Sequence, residues 1–278
     1  MRSRGNQSWR QLSGSLRESR RNRGARIVIF AAHPDDETIG ASALLARSDE
    51  LRVIYLTDGA PRSRSLWSPD FHGSRQEYSS LRRAEAEMAL SFAGLSVTQL
   101  EWLGGVDQEA IIRADHLTYC LAGLLSRIDA DVLVTHPYEG GHPDHDAAAL
   151  VAHLAIHQLD RERAPLLIEM TSYHAQNGRC VAGQFLNGGS AQELELFLSE
   201  AERARKAAMF AAYASQRRVL DGFVINQERF RIAPEYDFSC PPHKGKLWYE
   251  CMAWPTTGQQ WRATAWQKIL AVQELSCP

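Results

Sequence analysis

Five short runs rich in β-branched and apolar residues recur along the chain: RIVIF (26–30), LRVIYLT (51–57), TQLEWL (98–103), DVLVTH (131–136) and PLLIEMTSY (165–173). Helical stretches lie between them. ETIGASALLARS is one, and YSSLRRAEAEMALSFAGL sets Tyr78, Leu81, Ala84, Met88, Phe92 and Leu95 at helical spacing, with Gly94 near its end. Strands that alternate with helices of this length form βαβ units. The expected fold is therefore α/β and Rossmann-like: a doubly wound, mostly parallel sheet with helices on both faces. After Tyr173 the pattern loosens into a long charged helix, expected from about Gln192 to Ser215, and a Pro- and Trp-containing C-terminal stretch.

A chain of 278 residues can bury a substantial core. One domain is expected over residues 26–278, with 217–278 as a C-terminal extension packed on it. The first 25 residues hold seven Arg against one Glu and no apolar segment, so they are read as a flexible basic tail outside the fold rather than a secretory signal. The whole chain carries a net charge of −2, which leaves the remainder acidic and offers no basic surface for nucleic acid. No run of about 18 apolar residues is present to span a membrane. The five cysteines are widely spaced and form no C-x-x-C pair, so neither a disulfide framework nor a Cys-ligated zinc knot is indicated. A cytoplasmic protein is the simplest expectation.

In doubly wound sheets, ligands gather beyond the carboxyl ends of the strands. AAHPDDE, TDGAPRSRS, LGGVDQEA and THPYEGGHPDHD all fall there. The first of these sets His33, Pro34, Asp35, Asp36 and Glu37 directly behind an apolar strand. In the last, Pro143 suits the first helical position, which brings His142 and His145 one turn apart at a helix start. Two nitrogen ligands and one carboxylate, with a position left open for water, make a common catalytic zinc site. HPDDE alone is equally a Pro-led helix start, where acids suit the helix dipole. A second His-rich helix start at an equivalent strand end argues for the metal, because capping does not need histidine. Three adjacent carboxylates also require a neutralising partner if they are buried. No G-x-G-x-x-G follows the first strand, so a Rossmann-type nucleotide site is excluded.

AHPDDE followed by HPDH resembles the PIG-L/LmbE-like zinc-dependent N-deacetylases, which act on N-acetylglucosaminyl conjugates. RRAEAEMALSFAGL is similar to that family's Arg-x-x-Glu helix, and KAAMFAAYASQ to its late Lys…Tyr-x-Ser-Gln segment; together the likeness covers about residues 26–216. The resemblance implies that His33, Asp36 and His145 bind Zn2+, with another divalent cation such as Fe2+ as the alternative. It implies that Asp35 stays unliganded as general base, and that His142 sits over the reacting carbonyl, oriented by Asp144. In its protonated form His142 would stabilise the oxyanion. On the substrate side it points to Arg82 of Arg-x-x-Glu and Asp107 of the third loop. Some members of the family carry a tyrosine where this chain has Gly140, and Tyr138 is the candidate to replace it.

The implied activity is removal of acetyl from an N-acetylated sugar conjugate, a small-molecule partner. The alternatives are a metal hydrolase of another amide or ester, and a metal-dependent carbohydrate-binding module without turnover. Arg62 and Arg64 are read as facing an anionic part of the substrate or water. Trp67 in SLWSPDFHG is a candidate lid, and GQQWRATAWQKIL either covers the core or makes a homo-oligomer contact. His72, His116, His153, His157, His174 and His243 are assigned no role at the site.

Overall fold

The computed structural model describes residues 2–18, 21–186 and 193–276. Its central sheet begins with β1 (Ile27–Ala31), β2 (Leu51–Thr57), β3 (Leu100–Gly105), β4 (Val132–Thr135) and β5 (Leu166–Met170), all parallel. A separate hairpin follows, β6 (Tyr173–Gln176) with β7 (Arg179–Ala182). Then β8 (Glu193–Phe197) and β9 (Gln227–Ile232) add two antiparallel strands, giving the order β3-β2-β1-β4-β5-β9-β8. The helices are α1 (Arg2–Arg17), α2 (Asp36–Arg47), α3 (Arg75–Ser91), α4 (Ala114–Ile128), α5 (Pro143–His157), α6 (Glu200–Ala212), α7 (Arg217–Leu220), α8 (Trp248–Cys251) and α9 (Gly258–Ser276). Among the described residues, no helix is long and apolar enough to cross a membrane.

The sheet has a core on each face, because successive side chains of a strand point to opposite sides. Ile27, Ile29 and Ala31 join Leu44 of α2, Leu90 of α3 and Met209 of α6 in one cluster; Val28, Phe30 and Ala32 join Leu121 of α4, Leu150 of α5 and Trp261 of α9 in the other. Strands buried on both faces read as continuous apolar runs, which is how RIVIF and DVLV read. The alanine-rich front of α5, Ala147 to Ala149, is fully buried and allows this helix to lie close to the sheet.

Four expectations need correction. Residues 2–17 form a helix, and Leu12 and Leu16 are buried in the same cluster as Ile29, so the basic tail is not outside the fold. The arginines around that i, i+4 leucine pair masked an apolar stripe. The long charged helix is shorter: Gln192 lies outside the described residues, and ELELF (193–197) forms β8, with Leu194 and Leu196 buried. That period of two was present in the sequence, and Ser199 with Glu202 forms the capping box that starts α6 afterwards. On α3 the buried face is Tyr78, Arg82, Glu85, Ala86, Ala89 and Leu90, whereas Met88 and Phe92 are exposed. Finally, the segment from residue 217 to 276 is no appendage, since β9 lies inside the sheet between β5 and β8.

Residue His153 of α5 lies edge-on to Tyr236 and Phe238, with ring centroids 5.4 and 5.5 Å away. Burial lowers its pKa to about 4. The unfolded chain, titrating near 6.5, therefore binds the additional proton as pH falls from about 6.5 to 4, and stability is lost through that window by up to about 1.4 kcal/mol per pH unit. The variant His153→Phe is expected to be more stable than wild type at pH 5 by roughly 1–2 kcal/mol, and to show a smaller gain at pH 8. Denaturant unfolding at the two pH values measures this, and an equal gain at both would refute the titration.

Candidate metal centre

Strand β1 lies between β2 and β4, and the chain leaves it toward α2 on one face of the sheet and leaves β4 toward α5 on the other. This reversal opens a crevice at the carboxyl ends of the strands. The AHPDDE and HPDH segments form its two sides. A cavity of about 420 Å³ occupies it, with His33, Asp35, Asp36, Asp107, His142 and His145 in its wall.

Asp36 stands at the centre. Its Oδ2 lies 3.2 Å from His33 Nδ1 and accepts from the His33 backbone N–H, while its Oδ1 lies 3.1 Å from His145 Nε2. His33, His142 and His145 each bring a nitrogen within 4.8 Å of the others. A third histidine next to Asp36 was missed in the sequence. His136 stacks on His145 at 4.1 Å, places Nε2 3.4 Å from Asp36 Oδ2, and receives the Ala32 N–H. Its signal was the strand-end position in VTHP, the counterpart of FAAHP. Ser172 faces His145 Nδ1 at 3.2 Å.

The neighbouring Asp35 turns away from Asp36. Its φ of 123° is rare for a residue other than glycine, and Asp is among the side chains that tolerate positive φ best. Its Oδ2 accepts from Arg82 Nη2 at 2.9 Å, and the same nitrogen donates to the Pro34 carbonyl. Arg82 is 2% exposed and also pairs with Glu85, which accepts in turn from the Ser215 N–H and hydroxyl. The i, i+3 pair with Glu85 therefore exists, but it is buried and its second arm fixes Asp35. Glu37, the third acid, leaves the crevice and accepts from Tyr213 and Thr38.

His142 is held differently from the expectation. Its Nδ1 accepts from the backbone N–H of Asp144, so in the neutral ring the proton is on Nε2; the Gln108 amide nitrogen stands 2.8 Å away, and this tautomer requires the amide to be turned so that its otherwise unpartnered Oε1 accepts from Nε2–H. The Asp144 carboxylate does not orient His142. It lies 3.1 Å from His33 Nε2 and accepts from the backbone N–H groups of Gln108 and Ala110. Asp107 is at the site, 3.3 Å from His33 Nε2 and 4.0 Å from His142 Nε2.

Tyr138 is not in the crevice. Its hydroxyl donates to the Cys240 carbonyl and its ring packs against Phe238 and Trp261. At Gly140, with φ of +69°, a Cβ would stand 2.6 Å from Leu247, so the C-terminal segment fills the space that a side chain would need. Arg62 pairs with Glu109, Arg64 lies over Trp67, and Trp67 is buried against Tyr78; none of the three lines the crevice. Tyr138→Phe is accordingly expected to leave kcat within about twofold and to cost about 1 kcal/mol of stability for the lost hydrogen bond. Steady-state kinetics and a melt measure both, and a tenfold loss of kcat would return Tyr138 to the site.

The charges fit a cation. Burial lowers His33, but Asp107, Asp144 and Asp36 outweigh it and hold its pKa well above the usual range. Burial likewise opposes ionisation of Asp36, yet His145 and His136 hold it well below the carboxylate range. Burial with neighbouring His33 and His145 holds His142 well below 6.5, and burial takes His145 to about 4 despite Asp36. Burial raises Asp35 to about 8 against the pull of Arg82. Imidazoles whose ring centroids converge at 4.4, 5.2 and 5.4 Å, beside an ionised carboxylate, form a nitrogen and oxygen donor set suited to a borderline divalent ion.

The fold and site thus define a class: an α/β protein with a His/Asp metal-binding cluster at the switch point of a mostly parallel sheet. Residues 28–156 match the family model described as PIG-L: GlcNAc-PI de-N-acetylase. The likeness to that family is confined to this segment, a little under half of the chain. The Bacillus subtilis (strain 168) protein named "Probable N-acetyl-alpha-D-glucosaminyl L-malate deacetylase 2" is 27% identical over 149 residues, which span 52% of this chain and 66% of that protein, just under two thirds. The N,N'-diacetylchitobiose deacetylase of Pyrococcus horikoshii shares the fold, with a TM-score of 0.55 and 18% identity over 82% of this chain and 91% of its own. So does the 4-carboxy-2-hydroxymuconate hydratase of Pseudomonas putida KT2440, with a TM-score of 0.52 and 15% identity over 77% and 98%.

Proposed function

We propose that this chain is a zinc-dependent hydrolase that removes acetyl from an N-acetylated sugar conjugate, releasing acetate and a free amine. The observation that carries the reading is Asp35: a buried carboxylate beside Asp36 that lines the crevice, is fixed by Arg82 and, among the described residues, has Arg82 rather than a histidine as its ion-pair partner. A pure binding site gains nothing from it. His33, Asp36 and His145 would hold the ion, which when bound supplies a Lewis acid that acidifies water and polarises an acyl oxygen.

Asp35 takes the proton from the attacking water, and Arg82 keeps the carboxylate aimed at the crevice while it does so. His142 donates from Nε2–H to the acyl oxygen as negative charge grows there, in a site where fixed donors act with little competition from water. Its role needs only the neutral ring, because Nδ1 is occupied by the Asp144 N–H. The carboxyl formed on Asp35 then protonates the departing amine. Asp144 is a positioning residue that holds His33 and ties the Gln108 loop to the centre. Asp107 faces the substrate's hydroxyl groups.

The test is direct. Purified protein loaded with one equivalent of zinc is incubated with N-acetylglucosaminyl L-malate, N,N'-diacetylchitobiose and simple N-acetylglucosaminides, and acetate and amine are quantified. Equimolar release of both is expected. Zinc-loaded protein that releases neither from any of them would overturn the reading.

A further inference from the structure

The outer wall of the crevice comes from residues beyond the matched segment 28–156. Leu247 packs over Gly140, the Trp248 N–H donates to the Gly140 carbonyl, and Trp261 Nε1 donates to the Pro143 carbonyl. Residues 247–261 are thereby fastened to the loop that carries His142 and His145, as a fixed wall rather than a closing lid. Two aromatic paths lead outward from the imidazoles. Trp254 meets His142 edge-on at 4.7 Å; Tyr173 meets His145 at 5.2 Å and is followed by Phe223 at 5.9 Å. Beyond them, Val219 and Met252 line the same cavity while remaining 51% and 48% exposed.

An exposed apolar rim around a polar floor marks a surface that a ligand covers. The polar groups that suit an acetamide and sugar hydroxyls, Asp35, Asp107 and His142, all belong to the floor. The rim is dominated by the apolar side chains of Val219, Phe223, Met252 and Trp254, although Arg218 and Gln216 line the same cavity beside them. Resting on the deacetylase reading, we infer that this rim is an aglycone subsite, and that the substrate joins its N-acetylated sugar to an aromatic or alkyl group. The metal floor selects the acetamide and the rim selects what the sugar is attached to.

The experiment compares zinc-loaded wild type with Val219→Ser, Met252→Ser and the double variant on methyl, phenyl and octyl N-acetyl-β-D-glucosaminides and on N,N'-diacetylchitobiose. Both sites are half-exposed, so the variants keep the fold. For wild type, kcat/KM for the phenyl and octyl compounds is expected to exceed that for the methyl compound by about tenfold or more, and the double variant to bring that ratio down to about threefold or less. A wild-type ratio near one, a ratio unmoved by the double variant, or chitobiose as the preferred substrate would each overturn the subsite. Quenching of tryptophan fluorescence by the phenyl and methyl glucosaminides measures binding without turnover. Tighter phenyl binding that the variants weaken, with no acetate released from anything, keeps the subsite and removes the deacetylase; acetate release with no apolar preference does the reverse.

Discussion

Asp35→Asn is expected to lower kcat by about 10²- to 10⁴-fold, the range for loss of a positioned general base, while one metal ion per chain is retained. Asparagine has the same shape and tolerates the positive φ at this position as well as aspartate does, so the backbone of the HPDDE turn is kept. It can still accept from Arg82, whose other arm remains on Glu85. What it cannot do is take a proton from water. Kinetics on the best N-acetylglucosaminide, with metal content from mass spectrometry under native conditions, separate the two effects. Full activity in a zinc-replete Asp35→Asn protein would sink the mechanism, and activity lost together with the metal would make Asp35 a ligand.

His145→Ala is expected to weaken zinc binding by more than the 10- to 100-fold that loss of a supporting residue typically costs, and to abolish turnover at micromolar zinc. The ring meets Asp36 at 3.1 Å and stacks on His136, so its removal deletes a ligand and opens space between Asp36 and Tyr173. The variant has a second readout. Zinc at about 100 times its dissociation constant should stabilise wild type by about 2.7 kcal/mol through mass action. That shift should vanish in His145→Ala and reappear in wild type after a chelator is removed. An unchanged zinc-dependent shift in the variant would show that the ion is held elsewhere, for instance by Asp36 with His136.

A hydratase shares this scaffold, so the fold does not by itself name the reaction. The reading rests on the floor of the crevice, and there the sequence was informative because the decisive groups are close together in the chain. His33, Asp35 and Asp36 lie within four residues, and His142 and His145 within one helical turn. Arg82 was legible as a residue of interest but not in its role. An i, i+3 pair with Glu85 is visible in the sequence, whereas the Arg82–Asp35 bond joins positions 47 residues apart.

The chain's own pattern was enough for the alternation of apolar strands and helices, hence the parallel sheet, and for the two acid- and histidine-bearing strand ends, because both are local and repeat with the period of the backbone. Only the tertiary structure decided what surrounds them. It brought His136 to Asp36, gave Asp144 to His33 instead of His142, carried Tyr138 into the far core, and set Leu247, Trp248 and Trp254 against the Gly140–His142 loop. Each of these depends on contacts between segments distant in the chain, where close packing and the pairing of buried polar groups select the partner and leave no period in the sequence to read.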